Sequence, residues 1–263
     1  MAEDVEAIAG RFVEARRAAR RLDAYPGPLP DTLDDAYAIQ DAAIARWNRP
    51  VIGWKIGRVG SPLSDRFGVD RLAGPIFHSR PAATDPVAMP VFAGGFAAGE
   101  AEFLLRIAAV PPEGKRRYSL DEAADLIDAV HAGIEIASSP LEPINRIGPI
   151  AVISDFGNNN GLVVGPEVPD WRNSGFEDWT VTTFIDGEEA GSGRASAFPD
   201  GPIGAARFLF ELMARRGIAL RPGQWISSGA VTGIHPARPG QLVEARFGSD
   251  LTLHARLVAA EGE

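Results

Sequence analysis

Cysteine is absent from all 263 residues, which excludes disulfides, thiolate nucleophiles and sulfur-ligated zinc or iron. Only oxygen and nitrogen ligands remain. Lysine is almost as scarce: of 26 basic residues, only Lys55 and Lys115 are lysines. Where arginine is used nearly everywhere, a lysine inside an apolar strand-like run points to a site that needs a compact, pKa-shiftable ammonium. No run approaches the length of a membrane-spanning helix, so no membrane partner is expected. The first 25 residues alternate acids and arginines without an apolar stretch, and a cytoplasmic location is the expectation. The net charge of −9, with no long basic cluster, argues against nucleic acid. No GxGxxG opens a helix after a strand, and GxxxxGK[ST], GxSxG and HExxH are missing, so nucleotide-dependent, serine-hydrolase and zinc-protease readings have no support.

What is present reads as a globular chain, with 45% hydrophobic and 23% charged residues. A single unit over 1–263 is expected, with a helical segment at 1–50 and a β-rich core at 51–263. Apolar spacing predicts helices over 3–22 and 31–48, with Asp31 or Thr32 capping the second. From residue 50 the pattern shortens to β-rich runs bounded by Gly, Pro, Asp and Asn, among them VIGWKIG, AEFLLRIAAV, GIEIA, AVISD and GLVVG. Asp186-Gly187 marks a hairpin. SLDEAADLIDAVHAG and DGPIGAARFLFELMARRG are read as two further helices, the first with Ser119 and Glu122 at capping-box spacing.

Within the strand-like run GEAEFLLRI, Glu100 and Glu102 are two residues apart and therefore share a face. Two carboxylates side by side on an apolar strand repel and lose hydration unless a positive charge lies between them. A divalent cation meets that need, and Glu135 in GIEIA can close an all-oxygen site suited to Mg²⁺ or Mn²⁺. The same spacing also fits an exposed edge strand with outward acids. In VIGWKIG, alternation puts Lys55 between Gly53 and Gly57 on a bare face, open to a small anion or simply to solvent. SDFGNNNG with Asp155, AGSGR with Ser192 and SSGAVTG with Ser228 are polar loops at strand ends, which serve either as anion cradles or as ordinary turns.

Taken in order, GWKIG, GVDRLAGPIF, GEAEFLLRI, GIEIASS, SDFGNNNGLVVG, DGEEAGSGRAS and WISSGAVTG followed by HPARPGQ, the chain resembles the 2-keto-4-pentenoate hydratase and 4-oxalocrotonate decarboxylase group of the fumarylacetoacetate hydrolase superfamily. The resemblance implies an α+β fold with a mixed β-roll-like core and an N-terminal helical segment. It also implies a homo-oligomer and a small 2-oxo or 2-hydroxydienoic acid substrate. It places the metal on Glu100, Glu102 and Glu135, an active-site lysine at Lys55, and substrate-binding serines at Ser192 and Ser228. Asp155 joins Lys55 as a candidate catalytic group. After GPIF the group commonly has an acid where this chain has His78-Ser79, so an acid–base role there falls to His78. The loop SDFGNNNG is about one residue longer than the group's usual form.

Overall fold

The computed structural model describes residues 2–263. Two helices open the chain, α1 (Ala2–Arg17) and α2 (Leu33–Trp47). α1 stops at Arg17 rather than running on to residue 22, because the backbone turns left-handed at Ala19 (φ 46°). Thr32 is the α2 cap, its hydroxyl accepting the Asp35 N–H at 3.1 Å. There follow β1 (Gly53–Arg58), α3 (Leu63–Phe67), β2 (Arg71–Ile76), β3 (Ser79–Pro81), β4 (Val87–Val91), β5 (Phe96–Ile107), α4 (Leu120–Ala124) and β6 (Ile127–Ser139). The rest is α5 (Ile144–Ile147), α6 (Pro149–Ser154), β7 (Asn159–Glu167), β8 (Val181–Ile185), β9 (Glu188–Gly193), α7 (Gly201–Arg216), β10 (Trp225–Ser227), β11 (Leu242–Phe247) and β12 (Leu251–Ala259).

The strands make two mixed sheets, β2-β1-β10-β5-β6-β7-β3 and β4-β12-β11-β8-β9. β1/β10, β3/β7 and β4/β12 run parallel and the other pairs antiparallel. This is the mixed α+β architecture that the resemblance implied. Side-chain alternation divides β5 between two environments. Ala101, Phe103 and Leu105 enter the larger apolar core, where the Phe103 ring meets Phe247 of the second sheet at 5.3 Å between centroids. The even-numbered residues face the other way. On that side the large sheet curls until β2 lies beside β7, and Ile76, Leu104 and Leu162 from three strands meet in a small apolar plug. α1 and α2 pack over residues 141–156 through Phe12, Ile39, Leu141 and Phe156.

Two expected elements differ. The stretch SLDEAADLIDAVHAG is helical only over Leu120–Ala124, behind the full Ser119/Glu122 capping box, and becomes β6 from Ile127 onward. His131 therefore lies in a strand. Apart from exposed Asp128 and half-buried His131, β6 is buried on both faces, so the run carries no clear period, and the long antiparallel partner β5 decides it. Of AVISD, read as a strand, residues 151–154 lie in α6, which starts at Pro149, a residue suited to a helix's first turn, and Asp155 follows it.

Candidate metal centre

Glu100 and Glu102 lie in the middle of β5, and Glu135 is directly across from Glu100 on β6. One oxygen from each carboxylate falls within 4.8 Å of the others. The three are 2%, 0% and 0% exposed, which rules out an edge strand with outward acids. They occupy the inner face of the curled sheet, beside the Leu104 plug. Lys55 reaches the cluster from β1. In register, Lys55 pairs with Ser227 of β10, and Ser227 with Leu104 of β5, so the lysine shares the glutamates' face. Its ammonium lies 3.3 Å from Glu135 Oε1 and it is buried.

Glu102 and Glu135 are each held through one oxygen. Glu102 Oε2 accepts the Ser227 hydroxyl at 2.5 Å and the Gly229 N–H at 2.9 Å. Glu135 Oε1 accepts the Asn159 side-chain amide at 3.0 Å. Their second oxygens, Glu102 Oε1 and Glu135 Oε2, are buried with no hydrogen-bond partner. Buried acceptors are rarely left so, because the lost hydration is not recovered.

The charges do not balance either. Three carboxylates against one ammonium leave an excess of two negative charges in a dry site, and protons must make up the difference when no ion does. Burial, reinforced by Glu135 and partly offset by Lys55, pushes Glu100 up to about 8. Burial pushes Glu102 well above the carboxylate range, with Glu135 and Glu100 adding to it. Lys55 behaves oppositely: burial lowers it, but the fields of Glu135, Glu100 and Glu102 win and raise it, so it stays an ammonium. A divalent cation would supply the two missing charges and give the orphaned oxygens a partner, and an all-carboxylate donor set suits a hard ion.

No protein-family model matches the chain. It is 26% identical over 248 residues to 2-hydroxyhexa-2,4-dienoate hydratase of Comamonas testosteroni, covering 90% of each chain. It is 28% identical over 240 residues to 2-keto-4-pentenoate hydratase of Burkholderia vietnamiensis, covering 86% of this chain and 87% of that one. Over most of its length, then, the chain is similar to named hydratases of 2-hydroxydienoic acids. Among solved structures, 4-oxalocrotonate decarboxylase from Pseudomonas putida G7, complexed with magnesium and adipate, superposes with a TM-score of 0.82 at 21% identity and covers 98% of both chains. That likeness shows that the two chains share a fold.

Among the described residues, the other expected site residues, Asp155, His78, Ser192 and Ser228, make no side-chain hydrogen bond to the three carboxylates. Asp155 precedes the 156–158 turn and is 1% exposed; its carboxylate is engaged by Arg16 at 2.5 Å and by the Ser139 hydroxyl. His78 lies on the link between β2 and β3 with its ring against Gly161, where a Cβ would sit 2.5 Å from Nε2. Burial, helped by Arg80 and Arg49, lowers its pKa and keeps it neutral. Ser192 is on β9 of the smaller sheet, exposed, its hydroxyl donating to Val181 O at 3.1 Å. Ser228 is half-buried just past β10, while its neighbour Ser227 makes the contact to Glu102.

Three contributors escaped the sequence reading. Ser227 follows from strand period, since Lys55's parallel partner on β10 must share its face. Asn159 was visible only as one of three consecutive asparagines. Gly229 acts through its backbone N–H, which leaves no side-chain signal.

Proposed function

We propose that the protein is a divalent-metal-dependent hydro-lyase that adds water to a small 2-hydroxy-2,4-dienoic acid of the kind formed when aromatic rings are broken down. The observation that carries this reading is the buried Glu100, Glu102 and Glu135 cluster with two orphaned oxygens and a single compensating ammonium. Its similarity to named hydratases supports the choice of substrate. The donor set favours Mg²⁺ or Mn²⁺, held by these three carboxylates. A bound ion would supply Lewis acidity toward the carboxylate and 2-oxygen of a 2-oxo acid head.

The chain's own groups then divide the work. Ser227, the Gly229 N–H and Asn159 fix which oxygen of Glu102 and Glu135 faces the site. Lys55, kept charged by its neighbours, gives a hydrogen-bond donor and positive charge to the substrate 2-oxygen as the dienol passes to the enone that water attacks. The curled sheet and the Ile76, Leu104 and Leu162 plug exclude bulk water from one side of the cluster, which strengthens that interaction. Among the described residues His78 makes no hydrogen bond to the cluster, so the charge-handling role rests on Lys55.

The test is turnover of 2-hydroxydienoates by metal-stripped protein with Mg²⁺ or Mn²⁺ restored, followed by dienoate absorbance and product mass. Gain of one water supports hydration, whereas loss of CO₂ or carbon–carbon cleavage moves the protein to a sister reaction on the same head group. Lys55→Met should lower kcat by about 10² while metal still binds. Full activity in that variant, or no metal-dependent turnover of any such acid, sinks the reading.

A further inference from the structure

We infer that Arg16, on the N-terminal helix, is a positioning residue of the metal centre, acting on Glu135 and Lys55 through the 155–160 segment; this rests on the metal reading above. Arg16 is 139 residues from Asp155 in sequence yet is buried against it, 5% exposed. Its Nε donates to Asp155 Oδ1 at 2.5 Å, one terminal nitrogen to Asn159 O at 3.1 Å, and the other to Ser138 O at 3.1 Å and Asp155 O at 3.3 Å. A longer contact of 3.4 Å reaches Asn160 Oδ1. The Phe92 and Phe156 rings lie 5.3 and 4.9 Å from the guanidinium carbon. One planar group thus fastens the end of β6, the turn after α6 and the start of β7.

The fastened segment is strained. Phe156, Gly157 and Asn158 all have left-handed backbones, with φ of 54°, 68° and 63°. Two of them carry a Cβ that disfavours this conformation, so it persists only if the surroundings over-determine it. The strained turn delivers two contacts to the centre. Asn159, the next residue, holds Glu135 Oε1 with its amide. Gly157 presses its backbone on the Lys55 stem and on β2: a Cβ there would lie 2.9 Å from Lys55 Cδ and 2.7 Å from Gly74 Cα. The guanidinium that closes the turn therefore sets both the carboxylate and the ammonium of the centre.

A purely scaffolding role would also make Arg16 valuable to the fold, so the test reads metal affinity alongside stability. Mn²⁺ is titrated into the metal-stripped full chain, with unbound ion measured by electron paramagnetic resonance and Tm recorded for each variant. Arg16→Met and Asn159→Ala should each weaken Mn²⁺ binding by about tenfold or more, as loss of a group that orients a ligand does. The double variant should bind no worse than the weaker single one, because both changes break the same chain of contacts. Arg16→Lys should recover only part of the affinity, since one ammonium cannot serve acceptors on three segments. Should Arg16→Met fail to fold, Asp155→Asn and Arg16→Lys take its place in the cycle with Asn159→Ala. Mn²⁺ affinity within about twofold of wild type in the Arg16 variants, or losses that multiply in the double variant, overturns the inference alone. A wild-type chain without any Mn²⁺ site overturns the metal reading, and the inference with it.

Discussion

Ser227 and Ser228 are neighbours in the chain, yet only Ser227 has its hydroxyl on Glu102, because successive residues of an extended segment point to opposite sides. Glu102 Oε2 is buried and takes just that hydroxyl and one backbone N–H, so removing the hydroxyl leaves a buried acceptor half-satisfied. Ser227→Ala should weaken Mn²⁺ binding by about tenfold, in the range seen when a ligand loses its orienting partner. Ser228→Ala, changing a half-buried hydroxyl with no such contact, should stay within about threefold. Calorimetric titration of both variants checks this, and the reverse ranking would refute the geometry. The same alternation explains what was legible at this scale. Glu100 and Glu102 announce each other by their spacing, whereas Arg16, Asn159 and Gly229 reach the centre across sheet and loop distances that no local pattern encodes.

At the scale of elements, capped or punctuated segments could be read and the largely buried stretch that opens β6 could not. α7 begins with Pro202 in its first turn and ends on Gly217 at φ 67°, and β8 and β9 join at Asp186-Gly187, both left-handed. All three were visible as such. Residues 127–132 contain neither Gly nor Pro, and their strand state is set by pairing with β5. Gly133→Ala discriminates the two states. In a helix that change stabilises by up to about 1 kcal/mol. In β6 the new Cβ would lie 2.4 Å from Leu104 Cδ1 and 3.0 Å from Val163 O, so overpacking should cost about 1–3 kcal/mol instead. Thermal unfolding should show Tm lowered by several degrees, at roughly 2–4 °C per kcal/mol for a chain of this size. A raised Tm would mean that β6 is wrongly placed.

For the whole molecule, the buried charge excess links folding, protons and metal. Glu100 is raised to about 8 and Glu102 well above its usual range of 4.5, so the folded metal-free protein keeps protons that the unfolded chain has already released. Stability from those protons is complete below the unfolded carboxylate pKa and is lost as pH rises toward 8, at up to about 1.4 kcal/mol per pH unit for each proton. Lys55, also raised, stays charged in both states across this window and adds no slope. The metal-free Tm should therefore fall between about pH 5 and pH 8, and Glu100→Gln should flatten part of that fall. Mn²⁺ needs the same carboxylates ionised, so its binding releases protons and should tighten by about tenfold or more from pH 6 to pH 8. It should also raise Tm more at the higher pH, since the stabilisation grows with the ratio of ion concentration to Kd. Differential scanning calorimetry with and without Mn²⁺ at both pH values reads all of these effects. A metal-free Tm that is flat or rises with pH, together with a pH-independent Mn²⁺ affinity, would show that Glu100 and Glu102 are already ionised and balanced by charge from another source.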